Sequence, residues 1–218
     1  MSLIVLEGID GSGKSTQFAQ LQAHLAQIGA DFTCLRFPQY DKPSSALLTM
    51  YLQGEFGKKP EDVNAYAAAT FYAVDRYASF KQVWKDDFFV GKHILADRYT
   101  TSNAVHQGAK LSGSAQTDFF SWLDDFEHEK MELPRPNIVL YMDISLEVAL
   151  QNVAKRKAQT GQWDIHEVGE TYLQSCLNAA QNAADFFGWH KISCVKDGEM
   201  RPPQEIFQDS LAVLQTVL

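Results

Sequence analysis

Between the apolar run Leu3–Leu6 and a helical repeat of Phe18, Leu21, Leu25 and Ile28 lies Gly8-Ile9-Asp10-Gly11-Ser12-Gly13-Lys14-Ser15, a gapless match to G-x-x-x-x-G-K-[ST]. This segment restricts the fold more than any other in the chain. A strand must deliver it, a helix must leave it, and its glycines must let the backbone curl into a nest of converging N–H groups. A glycine-rich turn that fits by accident needs neither a strand before it nor an amphipathic helix after it, and both are written here. Such a nest holds the phosphates of a nucleoside triphosphate. Gly8, Asp10, Gly11, Ser12, Gly13 and Thr16 form its wall, Lys14 reaches the β- and γ-phosphates, and the Ser15 hydroxyl ligates Mg²⁺.

The alternation continues down the chain. Further strand-type runs occur at Phe32–Phe37, Ile94–Ala96, Ile138–Met142 and Ile192–Val195, with helical-period segments between them. Strands of nearly continuous apolar character imply a parallel sheet covered on both faces. Asn64–Trp84 reads as one long helix. Ser145–Thr160 reads as another, with a capping serine, an acidic first turn and the basic end Lys155-Arg156-Lys157. Gly29 stands where a helix C-cap glycine belongs. Residues 54–60 and 107–116 read as loops. With 218 residues and no repeat, linker or low-complexity tract, residues 1–218 are expected to form one domain.

A net charge of −8 argues against a protein that lives on nucleic acid, whose phosphates demand an excess of Lys and Arg. A small anionic ligand stays compatible, because a few cations in a cleft override the global field. Cys34, Cys176 and Cys194 are widely spaced without a C-x-x-C, as free thiols in a reducing compartment would be. The N-terminal apolar run is too short for a secretory h-region and no stretch reaches membrane-span length, so a cytoplasmic protein is expected.

His93-Ile94-Leu95-Ala96-Asp97 is a buried-type strand ending in a carboxylate. Asp97 reads two ways: as a Mg²⁺ ligand, direct or through water, or as a strand-end cap of the next turn. Arg98 beside it tips the balance toward phosphate chemistry. No Asn-Lys pair occurs, so the guanine-reading N-K-x-D motif of switch GTPases is absent and a small kinase leads. A deoxynucleoside kinase would need a carboxylate base where Phe37-Pro38-Gln39 offers none. A binding module without catalysis is opposed by the joint presence of Lys14, Ser15, Asp97 and Arg98.

Taken together, Glu7 through Thr16, Arg36-Phe37-Pro38-Gln39-Tyr40, Asp75-Arg76, and Asp97-Arg98-Tyr99-x-x-Ser102-Asn103 with Gln107-Gly108 resemble the thymidylate kinases in order and spacing. The resemblance runs across nearly the whole chain. It implies a three-layer P-loop NTPase fold with a five-stranded parallel sheet, a homodimer, and transfer of phosphate from ATP with Mg²⁺ to thymidine monophosphate. By the same resemblance Asp10 contacts the acceptor 3′-hydroxyl, and Phe37 and Tyr40 line the acceptor site. Some relatives carry an arginine near Tyr40, so Arg98 takes more of the acceptor phosphate here. Tyr72 stacks on thymine or belongs to the core; Arg76, four residues on, donates to a base carbonyl. Asn103 offers both a donor and an acceptor to the pyrimidine edge, supported by Ser102 and Gln107. His106 excludes a 2′-hydroxyl or is merely hydrogen-bonded in the structure. Residues 155–167 resemble a lid. Thymidylate kinases carry a catalytic arginine either in the phosphate loop or in the lid; with Gly11 and Ser12 at the loop's variable positions, the resemblance implies Arg156 as the lid's candidate cation, and Asp164 resembles a lid acid near the sugar.

Overall fold

The computed structural model describes residues 1–160 and 170–215. β1 (Leu3–Glu7) is buried along its whole length and passes through the glycine-rich loop into α1 (Lys14–Gln27). β2 (Phe32–Arg36), α2 (Ala46–Leu52), α3 (Ala65–Ser79) and α4 (Lys85–Phe89) lead to β3 (His93–Asp97). There follow α5 (Thr101–His106), α6 (Ser114–Asp124), β4 (Ile138–Asp143), α7 (Leu146–Thr160), α8 (Glu170–Phe187) and β5 (His190–Ser193). A hairpin of β6 (Val195–Lys196) and β7 (Glu199–Met200) precedes α9 (Pro203–Leu214).

The five longer strands form one parallel sheet in the order β2-β3-β1-β4-β5, flanked by helices in three layers. In register, Val5 lies between Ala96 and Val139. The central strands are apolar on both sides because helices cover both faces, which is why they read as continuous hydrophobic runs. From β1 the chain fills the β3–β2 side first and the β4–β5 side afterwards. The C-terminal end of β1 therefore lies at the point where open α/β sheets form their ligand crevice. Glu7, Arg36 and Asp97 all stand at that edge.

The helix expected over Asn64–Trp84 has three parts. Asn64 caps it, its side-chain oxygen accepting from the Ala67 amide at 2.8 Å. α3 ends at Ser79, a wider π-helical turn spans Phe80–Trp84, and α4 carries on. The extra residue in such a turn re-phases the buried face. Here it seats Phe80 and Trp84 edge to face, 4.7 Å apart, in the core. A second π turn at Asp125–Lys130 extends α6. The last sheet strand lies at His190–Ser193, two residues ahead of the run read at Ile192–Val195. His190 and Lys191 are exposed on this edge strand, and their polarity hides it from a search for apolar runs. The loop read over 107–116 is shorter than expected, since α6 starts at Ser114. Lys110 fastens this turn to the loop before α3, donating to the Tyr51 hydroxyl at 3.0 Å and the Val63 carbonyl at 2.9 Å. Burial pulls its amine down to about 8.

Asn64→Ala is expected to lower unfolding stability by about 1 kcal/mol through loss of the cap, read as a shift in the urea midpoint at unchanged m-value.

Candidate active site

The phosphate loop is held from both sides. Gly11 and Gly13 sit at φ 84° and 81°, in the left-handed region that favours glycine. A Cβ on Gly11 would come within 2.4 Å of the Ala149 carbonyl oxygen on α7, and one on Gly13 within 2.7 Å of the Met200 methyl on β7. Asn152, also on α7, donates to the Gly11 carbonyl at 2.9 Å. Lys14 is buried and its ammonium lies 2.6 Å from Asp97 Oδ1, while Arg36 Nε approaches Asp97 Oδ2 at 3.1 Å. Burial and the neighbouring Arg98 pull the Lys14 amine down, and Asp97 and Glu7 oppose them. Ser15 and Thr16 are exposed on the first turn of α1.

Beside the loop stands a knot of charge around Arg98. This residue has φ 67°, a strained value for a side-chain-bearing residue and one that costs about 1–3 kcal/mol unless its surroundings hold it. They do hold it. Its guanidinium donates to Glu7 at 3.3 Å, to Asp10 at 3.1 Å and to His106 Nε2 at 2.9 Å. Glu7 has no exposure and also accepts from the Gly8 amide at 2.8 Å, Thr101 at 2.7 Å and Ser102 at 2.6 Å. An arginine has no acceptor, so His106 Nε2 must accept, which puts the ring proton on Nδ1, 3.6 Å from Cys176 Sγ. Burial pushes that thiol up to about 12, so it stays protonated. Burial works to raise the Asp10 carboxyl, but the cations Arg98, Arg156 and Lys14 hold it below the ordinary value. Arg156 is exposed on α7, and its charge is felt at Asp10.

Further in, α3 and the turn after α6 meet over a buried ion pair. Arg76 Nε and NH2 donate to the two oxygens of Glu127 at 2.7 and 2.6 Å, and NH1 reaches the Tyr99 carbonyl at 3.3 Å. Asn103 Nδ2 donates to Glu127 Oε1 at 2.9 Å and to the Ala69 carbonyl at 3.0 Å. Asp75, one residue before Arg76, accepts from the Gln39 amide and the Ser44 hydroxyl, which fixes the Phe37–Tyr40 segment.

All of this surrounds one cavity of about 250 Å³. Its lining includes the charged cluster Asp10, Lys14 and Arg98, the Arg76 and Asn103 pair held by Glu127, and Tyr72, Gln107, Phe37, Tyr40, Ser102 and His106. Every substrate-site residue expected from the sequence lines it except Asp164, which with the rest of 161–169 lies outside the described residues. A family model described as Thymidylate kinase matches residues 6–193. The chain belongs to the thymidylate kinase family. It is 31% identical over 149 residues to the thymidylate kinase of Mycobacterium tuberculosis (strain ATCC 25618 / H37Rv), covering 67% of this chain and 68% of that protein. It is 32% identical over 157 residues to the Homo sapiens thymidylate kinase, covering 72% and 66%. To the thymidylate kinase of Prochlorococcus marinus (strain NATL2A) it is 26% identical over 205 residues, 90% of each chain.

One expectation for this thymidylate kinase site changes. Asn103 does not offer both a donor and an acceptor to the cavity. Its amide nitrogen faces a carbonyl and a carboxylate, neither of which can donate, so only Oδ1 is left to turn elsewhere. His106 is hydrogen-bonded to Arg98 and also lines the cavity. Sequence reasoning gave no role to Glu7 or Glu127. Glu7 could have been flagged as a charge closing an otherwise apolar strand. Glu127 follows Phe119, Phe120 and Leu123 in helical phase, so it sits at a core position where an acid needs a buried cation.

Asp10 contributes stability that is complete above its ordinary carboxylate value of 3.8 and is lost as pH falls through its lower folded value. Urea midpoints between about pH 5 and about pH 3 should therefore fall more steeply in the wild type than in Asp10→Asn.

Proposed function

We propose that this chain transfers the γ-phosphoryl group of ATP to thymidine monophosphate, forming ADP and thymidine diphosphate. The observation that carries the reading is a cavity lined by the cations Lys14 and Arg98 together with Tyr72, Phe37, Asn103 and Gln107. Its cations suit a phosphate, and its aromatic and amide groups suit a planar pyrimidine. Tyr72 is half-buried there and meets Tyr51 edge to face.

A nucleoside monophosphate is already a nucleophile at neutral pH, because its second pKa is about 6. No general base is needed. An acceptor phosphate oxygen attacks the γ-phosphorus, the bond to the β–γ bridging oxygen breaks, and ADP leaves with that electron pair. The protein holds the two anions in line and cancels their repulsion. Arg98, fixed by Glu7 and Asp10, takes the acceptor phosphate. Lys14 leaves Asp97 for the β- and γ-phosphates, and Arg156 approaches from α7 as the further cation. Asp10 meets the acceptor sugar, with His106 against its C2′ side.

The oxygen donors Ser15 and Asp97 fit Mg²⁺, a hard cation that keeps waters and shares phosphate oxygens rather than taking an all-protein cage. Bound there, the ion would neutralise charge on the β- and γ-oxygens.

The reading extends to a single domain with a lid over about 155–167, in which Asp164 serves the acceptor. It extends also to a homodimer. Tyr66, Val74 and Tyr77 are exposed along α3, with Val83 beyond, and a second copy would cover them. No described helix is long and apolar enough to cross a membrane. The free cysteines Cys34, Cys176 and Cys194 support a cytoplasmic setting.

A coupled ADP-release assay over nucleosides and their monophosphates, with and without Mg²⁺, tests the reading. Thymidine monophosphate is expected to be the best acceptor. The deoxyuridine analogue, short of one methyl, should be about 10–200-fold poorer. Lys14→Ala and Arg98→Ala should each reduce turnover by about 10³-fold or more with an unchanged far-UV CD spectrum. Full activity in either variant, or a purine monophosphate as the preferred acceptor, would sink it.

A further inference from the structure

The base end of the cavity is organised by a residue behind it. Glu127 is wholly buried, and its carboxylate is the common partner of the two side chains that face the base, Arg76 and Asn103. This has a chemical consequence that neither side chain has alone. An isolated carboxamide turns over freely, presenting oxygen or nitrogen at similar cost. Asn103 cannot, because its nitrogen lies between the Ala69 carbonyl and the Glu127 carboxylate, and both are acceptors only. Turning the amide would face its oxygen with two other oxygens. The same carboxylate grips Arg76 through Nε and NH2 in a bidentate fork, setting the plane in which the rest of the guanidinium borders the cavity. Gln107, 1% exposed, adds a buried Oε1 with no partner among the described residues.

We propose that Glu127 is the positioning residue that sets base specificity, by locking the wall into a fixed order of arginine donors beside an asparagine acceptor. The proposal rests on the cavity being the thymidylate site and names what makes that site selective. Thymine offers a ring N–H next to a carbonyl, the complement of this order. Cytosine offers a ring nitrogen acceptor next to an amino donor, so its ring nitrogen meets Asn103 Oδ1 and its amino group meets Arg76, and both contacts are repulsive. The carboxylate is essential to this lock. In Glu127→Gln one carboxylate oxygen becomes an N–H₂ that faces a donor of Arg76 or Asn103 whichever way the amide is set, and the fork on Arg76 is broken. A turned Asn103 would then gain that N–H₂ at Oδ1 while setting the same oxygen against the Ala69 carbonyl, so the two orientations become comparable and cytosine is no longer excluded.

The experiment measures kcat and KM for thymidine monophosphate and deoxycytidine monophosphate in the wild type, Glu127→Gln and Glu127→Asp, with ATP affinity followed by nucleotide titration. Glu127→Gln is expected to raise KM for thymidine monophosphate about tenfold or more. The preference for thymidine over deoxycytidine monophosphate should shrink at least about tenfold, with ATP affinity unchanged because the phosphate loop is untouched. Glu127→Asp, which keeps an acceptor-only group, should retain most of the preference. A soluble variant that loses activity on both acceptors equally, or Glu127→Gln with the wild-type preference, overturns the proposal. Should Glu127→Gln not fold, Glu127→Asp decides, since a collapse of preference despite its retained carboxylate contradicts the lock. A wild type inactive on thymidine monophosphate would strike the functional reading and this proposal with it, whereas the outcomes above strike this proposal alone.

Discussion

Burying a carboxylate at the end of the central strand obliges the chain to gather donors around it, and Glu7 gathers the ones the cleft depends on. Its oxygens accept from the Gly8 amide that opens the phosphate loop, from Thr101 and Ser102 at the start of α5, and from Arg98. An ion with no exposure costs several kcal/mol to desolvate, and leaving it unpaired costs about 3–5 kcal/mol. The loop, the helix after β3 and the strained Arg98 backbone are thus tied to one charge. Arg98 keeps its left-handed φ because this anchor and Asp10 leave its guanidinium no better place. Strain of that kind survives where the surroundings over-determine it, and it fixes the arginine in advance of any ligand.

The same logic recurs deeper in the molecule. Glu127 is to Arg76 and Asn103 what Glu7 is to Arg98 and Ser102: an inner acid that aligns outer donors. In both places the ion pair contributes specificity of arrangement more than net stability, since a buried pair roughly balances its own desolvation. The cavity between them is preorganised from behind at both ends.

Much of this was legible in the amino-acid order. The strand–loop–helix at Leu3–Gln27 announces itself because only glycines suit the positive φ at positions 11 and 13, and because central strands under two helical layers are apolar throughout. The cavity-lining residues were found through the spacing of short motifs. What escaped notice depends on packing between distant segments. Glu127 sits in the acidic stretch Asp124-Asp125-Phe126-Glu127 and looks like a solvated face, and only contact with a helix fifty-one positions earlier in sequence reveals its role. Asn103 was credited with a free donor because its partners, Ala69 and Glu127, belong to other elements. The π turns have no signature in composition; the one over Phe80–Trp84 seats both rings in the same core.

The contact between Lys14, Asp97 and Arg36 carries a last implication. Two cations already rest on the Asp97 carboxylate at 2.6 and 3.1 Å, so the lysine is desolvated and charged before a triphosphate arrives. On the function proposed above, nucleotide entry would be a change of partners: the ammonium would trade one anion for another, the aspartate would be released toward a divalent ion, and Arg36 would remain to steady it. Little water has to be stripped at that moment, and the electrostatic cost of an empty phosphate nest has been met in advance by the strand next door.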